Sequence, residues 1–475
     1  MKNTSESSEV MAKFEQNAKR PFGLRDKIGY AAGDFADNLT FVLVALFMMK
    51  FYTDIMGVSA ALVGTLMMAA KLVDAFTDVA MGQIVDRSSY TAKGKFAPWV
   101  RRFAGPVAVS SFLIFAPYFA NMSMGFKVFW MFFTYILWGS VCYTGVNIPY
   151  GSMASAMSEK PEERQMLSTW RNIGSTVGQI VIVVILPMLV YTKDATGRQV
   201  LNGSSVMVAA GVCAVLSFIV YLVCFQLTTE RIKLPSAKGE KNVFQMFGIL
   251  FTNRAFVGII VSALLLLLTQ MTLTGMNNYI YPNYFNSASA ISLSGLLSCG
   301  VVLILSTFVT KLAKLIGKRE LATIGAFIGA GALFFAYIIH TKSVVVFIAL
   351  YMVAYTGLGF FNLVCWAMII DVIDDIEVKK GVRSDGTVYS VYSFARKVGQ
   401  AGANGITGVI LSTVGYTATT AFDTKVVDGI YNATTLLPAI GFIALALALI
   451  FVYPLSKKKV HVNNEALVNK RNAEQ

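Results

Sequence analysis

The sequence predicts an all-α, polytopic membrane protein of twelve transmembrane helices in two six-helix bundles. Three observations carry that expectation. The chain is 56% hydrophobic and only 14% charged, whereas soluble proteins run about 45–50% apolar and about 25% charged. At about 40 residues per span and connector, with about 20–25 crossing the hydrocarbon, the 475 residues provide roughly twelve helices and no large soluble domain. Finally, apolar runs of spanning length recur along the chain, and Lys and Arg collect in every second connector.

Residues 1–26 are polar and lack an apolar core, so they are expected to form a cytoplasmic tail rather than a cleaved signal. Apolar runs near 27–54, 60–85, 101–122, 127–157, 165–192 and 203–228 make an N-terminal bundle over 27–228. A polar stretch over 229–249 reads as a central cytoplasmic loop. Runs near 250–282, 288–314, 319–341, 344–374, 386–413 and 429–455 make a C-terminal bundle over 250–455, and 456–475 is a second cytoplasmic tail. The runs are continuous rather than alternating, which argues against a β-barrel.

Formal net charge is +14, but the bases sit in alternate connectors rather than on one patch, which argues for membrane orientation and against nucleic acid. Arg87, Lys93, Lys95, Arg101 and Arg102 follow the second run, and Arg231, Lys233, Lys238 and Lys241 follow the sixth. Both termini are therefore expected in the cytosol, the chain being multi-pass in the cytoplasmic membrane. The connector GQIVDRSSYTAKGKF is weakly echoed by TKLAKLIGKREL, as an internal duplication would give. Five isolated cysteines read as small core residues, and two histidines make a metalloenzyme improbable. No nucleophile, His or metal set suggests an enzyme, and no cofactor is implied.

Charge inside the spans points to function, because a carboxylate at a helix centre costs about 2.5–3.5 kcal/mol on insertion scales. In KLVDAFTD, Lys71, Asp74 and Asp78 share one helix face. One base cannot satisfy two acids, so a passing Na+ or proton is expected there, with Thr77 and Thr144 offering oxygens; the bland alternative is a static Lys71–Asp74 pair. In GDFADN, Asp34, Asp37 and Asn38 form a polar stripe that either lines a cavity or locks one end. In YTGVNIPYGS, Tyr143, Thr144, Asn147 and Tyr150 offer aromatic faces and hydrogen-bonding groups to a sugar, although Tyr150 fits plain packing as well. Arg171 in the fifth span, and Arg396 and Lys397 in the eleventh, either meet anions and sugar hydroxyls or pair with the first-span acids. Asp371, Asp374, Asp375 and Glu377 close the tenth span beside Lys379, Lys380 and Arg383. Asp371, Asp374 and Arg383 are read as a gate; the alternative is a solvated helix end.

The stretches GYAAGDFADN, KFYTDIMGVSAALVGTL, KLVDAFTD, KGKFAPW, YTGVNIPYGS, WRNIGS and DVIDDIEVKKGVRSDGTVYSVYSF together resemble the glycoside-pentoside-hexuronide:cation symporters, the melibiose-carrier-like branch of the major facilitator superfamily. The resemblance covers nearly the whole chain. It implies that Asp74 and Asp78 bind the coupling cation with Thr144, and that Arg171 and Lys397 are the cavity bases. Galactoside-transporting members carry carboxylates where Asn38 and Asn147 stand here. Two negative charges are thereby lost while the bases remain, which favours a hexuronide or a pentoside glycoside. Thr77 replaces a side-chain amide of sodium-using members, leaving Na+ and H+ both open. The expectation is alternating access by a monomer whose partners are a sugar or glycoside, a monovalent cation and the bilayer; the rival is a lipid or other solute carrier on the same scaffold.

Overall fold

The computed structural model describes residues 2–233, 250–380 and 385–473. The helices, in chain order, are α1 (Lys2–Ala18), α2 (Leu24–Asp54), α3 (Ala60–Arg87), α4 (Ala97–Ile114), α5 (Met124–Met157), α6 (Pro161–Val190) and α7 (Gly203–Leu227). They continue with α8 (Arg254–Tyr284), α9 (Ser289–Ile316), α10 (Lys318–Ile339), α11 (Val344–Lys380), α12 (Asp385–Thr413), α13 (Thr424–Val452) and α14 (Lys457–Ala473). Among the described residues, eleven are long and apolar enough to cross a bilayer. The remaining long helix of the expected twelve, α12, has 29 residues; its Arg396, Lys397 and run of Gly and Asn lower its hydropathy rather than its length.

Lipid-facing positions follow helical periodicity. On α7, Val208, Val212, Val215 and Ile219 are each more than half exposed, a stripe that water would penalise and hydrocarbon does not. Polar termini are capped where the chain provides a side chain: Asn202 accepts from Ser205 N at the start of α7, and Asn253 accepts from Ala255 N and Phe256 N at the start of α8. Gly317 alone separates α9 from α10. Its φ of +118° is a conformation that side chains disfavour.

The chain divides into two compact units, residues 1–238 and 239–475. In the first, α2 packs chiefly against α6 and α7, α4 against α7 and α5, and α3 against α5. In the second, α8 packs against α12 and α13, α10 against α13 and α11, and α9 against α11. The neighbour pattern is the same after a shift of six spans, as a duplicated unit requires.

The two tails contain structure that composition alone does not disclose. Helix α1 is docked by Phe14, which is buried and meets Tyr90 edge-on, and by Asn17, which donates to Ala92 O. Helix α14 is anchored by Asn463, which donates to the fully buried Asp375. A short antiparallel hairpin, β1 (Tyr191–Lys193) and β2 (Gln199–Leu201), joins α6 to α7. Its turn is built by Asp194, which accepts from Thr196 N, Thr196 Oγ1 and Arg198 N, with Gly197 at φ +80°.

Just outside the membrane-spanning segments, the buried Glu230 carboxylate accepts from the backbone N–H groups of Lys95, Phe96 and Ala97 at 2.7–2.8 Å. It thereby satisfies donors that the start of α4 would otherwise leave open. Gly94 is needed beside it, because a Cβ there would lie 2.3 Å from the Glu230 carboxyl carbon. Burial nevertheless pushes the Glu230 pKa up to about 7, against the opposing pull of the three N–H donors and Lys95.

Candidate functional site

The polar residues of the first unit are assembled by two close helix contacts. Helix α6 carries Gly174 and Gly178 four residues apart, and both face α2: a Cβ on Gly174 would lie 2.0 Å from Ala31 O, and one on Gly178 would lie 2.9 Å from Phe35 O. Small residues at this spacing let helix backbones approach in a membrane. The approach brings Arg171 and Ser175, on the same face of α6, to α2. Arg171 Nε donates to Asp34 Oδ1 at 2.9 Å, with the Arg171 side chain about one-third exposed. Asn38 Nδ2 donates to Ser175 Oγ at 3.0 Å and to Asp34 O at 2.8 Å.

Helices α2 and α5 meet through a second close contact. The rings of Tyr30 and Tyr150 stack with centroids 4.7 Å apart, Tyr150 Oη donates to Tyr30 O at 2.5 Å, and Gly33 leaves room for the Tyr150 ring. Tyr150 is therefore sealed, at 0% exposure, and lies beneath the Arg171 guanidinium at 5.3 Å. Of the two roles open to it from sequence, this geometry supplies packing: the ring supports Arg171 and has no face open to a sugar.

Asp37 also departs from the expected stripe. It is buried and accepts from Tyr221 Oη of α7, whereas Asp34 faces α6. An offset of three residues rotates successive side chains by about 60° around the helix, enough to give the two acids different neighbours.

On α3, Asp74 and Asp78 each meet a hydroxyl of α5. Ser140 Oγ donates to Asp74 in a very short hydrogen bond, and Thr144 Oγ1 donates to Asp78 at 2.7 Å. Both pairs have a sequence separation of 66, which neighbouring helices running the same way preserve from turn to turn. The register depends on a π-helical segment, Leu137–Tyr143, within α5, a feature that inserts a residue into the turn and is frequent at functional sites. Gly139 keeps the contact open, since a Cβ there would be 3.2 Å from Asp74 Oδ1. Lys71 Nζ lies 2.9 Å from Asp74 Oδ2 and over the rings of Phe41 and Trp138 at 5.3 and 5.9 Å, a box that favours a cation. The Lys71–Asp74 pair foreseen as the static alternative is thus formed. Thr77 Oγ1 donates back to Asp74 O at 3.2 Å.

Tyr143 stacks on Phe41 at 5.6 Å and near Trp138 at 5.4 Å. Asn147 is half-buried and makes no hydrogen bond with any described residue, so its amide is available to a ligand. Sequence reasoning passed over Ser140, Ser175, Phe41 and Trp138. Ser140 had a signal, being four residues before Thr144 as Asp74 is before Asp78.

The remaining candidates belong to the second unit. Lys397 lies half-buried on α12, and its neighbour Arg396 lies over the rings of Trp366 and Tyr392. Asp371 is held by Lys318 Nζ at 2.7 and 2.9 Å, a base at the start of α10 rather than one following the acids. Lys379 instead pairs with Asp375 at 2.7 Å. Asp374 lies on the same helix, α11, and Arg383 falls outside the described residues. Among the described residues, no group of His, Cys, Asp and Glu could hold a metal ion as a cluster of three or more.

Comparison with known proteins places this geometry in context. A family model described as MFS/sugar transport protein matches residues 29–457. The chain is 32% identical to a glucuronide carrier protein homolog of Escherichia coli strain K12, over 92% of this chain and 93% of that one. It is 33% identical to an isoprimeverose transporter of Lactiplantibacillus pentosus, over 90% and 88%. Its fold is similar to the crystal structure of a bacterial homolog of the human lysosomal transporter Spinster, with a TM-score of 0.67 over 93% of this chain and 97% of that one at 14% identity.

Proposed function

The chain belongs to the MFS/sugar transport protein family, multi-pass membrane transporters rather than enzymes, and from that premise we propose that it is a cation-coupled glycoside symporter working by alternating access. The observation that carries the coupling is the pair of carboxylates, Asp74 and Asp78, each with its own hydroxyl from α5. Ser140 and Thr144 spend their protons on the carboxylates and keep lone pairs, so the four side chains make an oxygen-rich set suited to Na+, while the carboxylates alone suffice for H+. Cation arrival neutralises charge between α3 and α5 and fixes the register of α5, on which Tyr143 and Asn147 also lie.

Sugar binds along the polar face made by Asn38, Arg171, Tyr143 and Asn147, with Asp34 orienting Arg171. A hexuronide glycoside suits Arg171, since a guanidinium holds a carboxylate through two parallel hydrogen bonds; a pentoside glycoside is the neutral alternative. The resemblance to carriers named for a glucuronide and for isoprimeverose supports a substrate in this range. Only the empty or doubly loaded carrier reorients, so an inward cation gradient drives uptake. Linkage then requires each ligand to tighten the other by the same factor. The bias of Lys and Arg supports both termini in the cytosol, and the Lys318–Asp371 pair supports an end-face lock in the second unit.

Binding of a hexuronide, a pentoside and a galactoside to the purified protein, with and without Na+ at two pH values, tests this reading. Glycoside affinity that rises with one cation supports it. Affinity indifferent to both cations points instead to a lipid or other solute carrier on the same scaffold.

A further inference from the structure

We propose that a half-open cleft at one end of the second unit, where α9, α11 and α14 meet, is a binding site for the phosphate head group of an anionic phospholipid. The cleft has a volume of about 800 Å³, large enough for a head group and the first carbons of its chains. Its lining contains four lysines, Lys314, Lys318, Lys457 and Lys458, against one carboxylate, Asp371. That carboxylate is already held by Lys318, and Lys457 Nζ donates to Leu315 O at 2.8 Å. Lys314 and Lys458, both in the lining, make no ion pair or hydrogen bond with any described residue, so two lysines at the cleft keep their charge unspent. His461, also in the lining, is paired with Glu465 at 3.2 Å.

The order of residues along the cleft favours a lipid over a soluble anion. Its basic residues lie at the C-terminal end of α9, the start of α10 and the start of α14. Val309, Leu363 and Val364 line it farther inside the span: Val309 is five residues before Lys314 on α9, about 7 Å along the axis, and Leu363 is eight before Asp371 on α11, about 12 Å. A charged mouth leading to an apolar wall over about 10 Å matches a phosphate followed by acyl carbon, and basic pockets between spans on the cytoplasmic side are where such head groups bind. The leaflet assignment rests on the orientation proposed above; the charge and the cleft do not.

The test uses the full-length protein in mixed micelles of phosphatidylglycerol and phosphatidylethanolamine, with retained lipid counted by native mass spectrometry, a readout independent of transport. Because a lysine near an anionic surface contributes roughly fivefold in affinity, the Lys314→Ala, Lys458→Ala double variant is expected to lose phosphatidylglycerol affinity roughly 25-fold. Lys311→Ala, an exposed lysine on α9 outside the lining, is expected to retain it. Should the double variant fail to fold, the single Lys314→Gln and Lys458→Gln variants carry the same test at roughly fivefold each. Equal retention by wild type and variants overturns the proposal. So does displacement of the lipid by inorganic phosphate at equal concentration, which would assign the cleft to a soluble anion.

Discussion

Thr144 donates to Asp78 one turn along from where Ser140 donates to Asp74, and the same 66-residue separation sets both pairs. Two acids therefore have two hydroxyls in a fixed parallel register, and the hydroxyls belong to the helix that also presents Tyr143 and Asn147. Hydrogen bonds to a charged group contribute about 1.5–3 kcal/mol. Ser140→Ala and Thr144→Ala are each expected to weaken cation affinity by at least roughly tenfold. Sugar affinity at saturating cation should change little, as read from cation titrations of glycoside binding.

The Asp34–Arg171 pair sets charge selectivity in this account. If Asp34 competes with an anionic substrate for the guanidinium, Asp34→Asn raises hexuronide affinity on the order of fivefold, the scale of a partly exposed ion pair. Neutral pentoside affinity moves less. Competition assays with both glycosides check this, and an equal shift for both would remove Asp34 from the role.

Gly174 is held against the Ala31 carbonyl by helix packing that neither backbone can relieve locally. Gly174→Ala is expected to destabilise the first unit by about 1–3 kcal/mol, the range for overpacking, and to separate Arg171 from Asp34. Gly151→Ala is the control, since a Cβ there meets nothing within 4 Å. Thermal unfolding in detergent distinguishes them.

Glu230 gives the fold a pH dependence of definite sign. Its pKa rises from the ordinary 4.5 to about 7 on burial, so between those values the folded state holds a proton that the unfolded state has lost. Stability from this group is full below about 4.5 and falls as pH rises toward 7. Glu230→Gln, whose side chain is neutral throughout, is expected to flatten that part of the stability-against-pH curve.

The helices were legible in the sequence because lipid demands long apolar runs, and the ends of α3, α5 and α7 fall within three residues of those runs. What periodicity missed has physical reasons. Helices α1 and α14 hold too few apolar residues to register, yet Phe14 and Asn463 dock them. The π-helical turn in α5 leaves no composition signal, and Ser140 was passed over although its four-residue spacing to Thr144 repeats that of Asp74 to Asp78. Which acid faces which helix depends on packing: Asp34 and Asp37 read alike in GDFADN, but their three-residue offset turns Asp34 toward Arg171 of α6 and Asp37 toward Tyr221 of α7. The Lys318–Asp371 pair joins residues 53 apart, beyond the reach of local spacing.

Transport by Asp78→Asn in proteoliposomes under an imposed Na+ or H+ gradient tests cation coupling most directly. The account predicts that labelled glycoside still exchanges across the membrane when both sides hold unlabelled sugar, but no longer accumulates against its own gradient. Accumulation at the wild-type level would show that the coupling ion binds elsewhere, and would contradict the role given to Asp74 and Asp78.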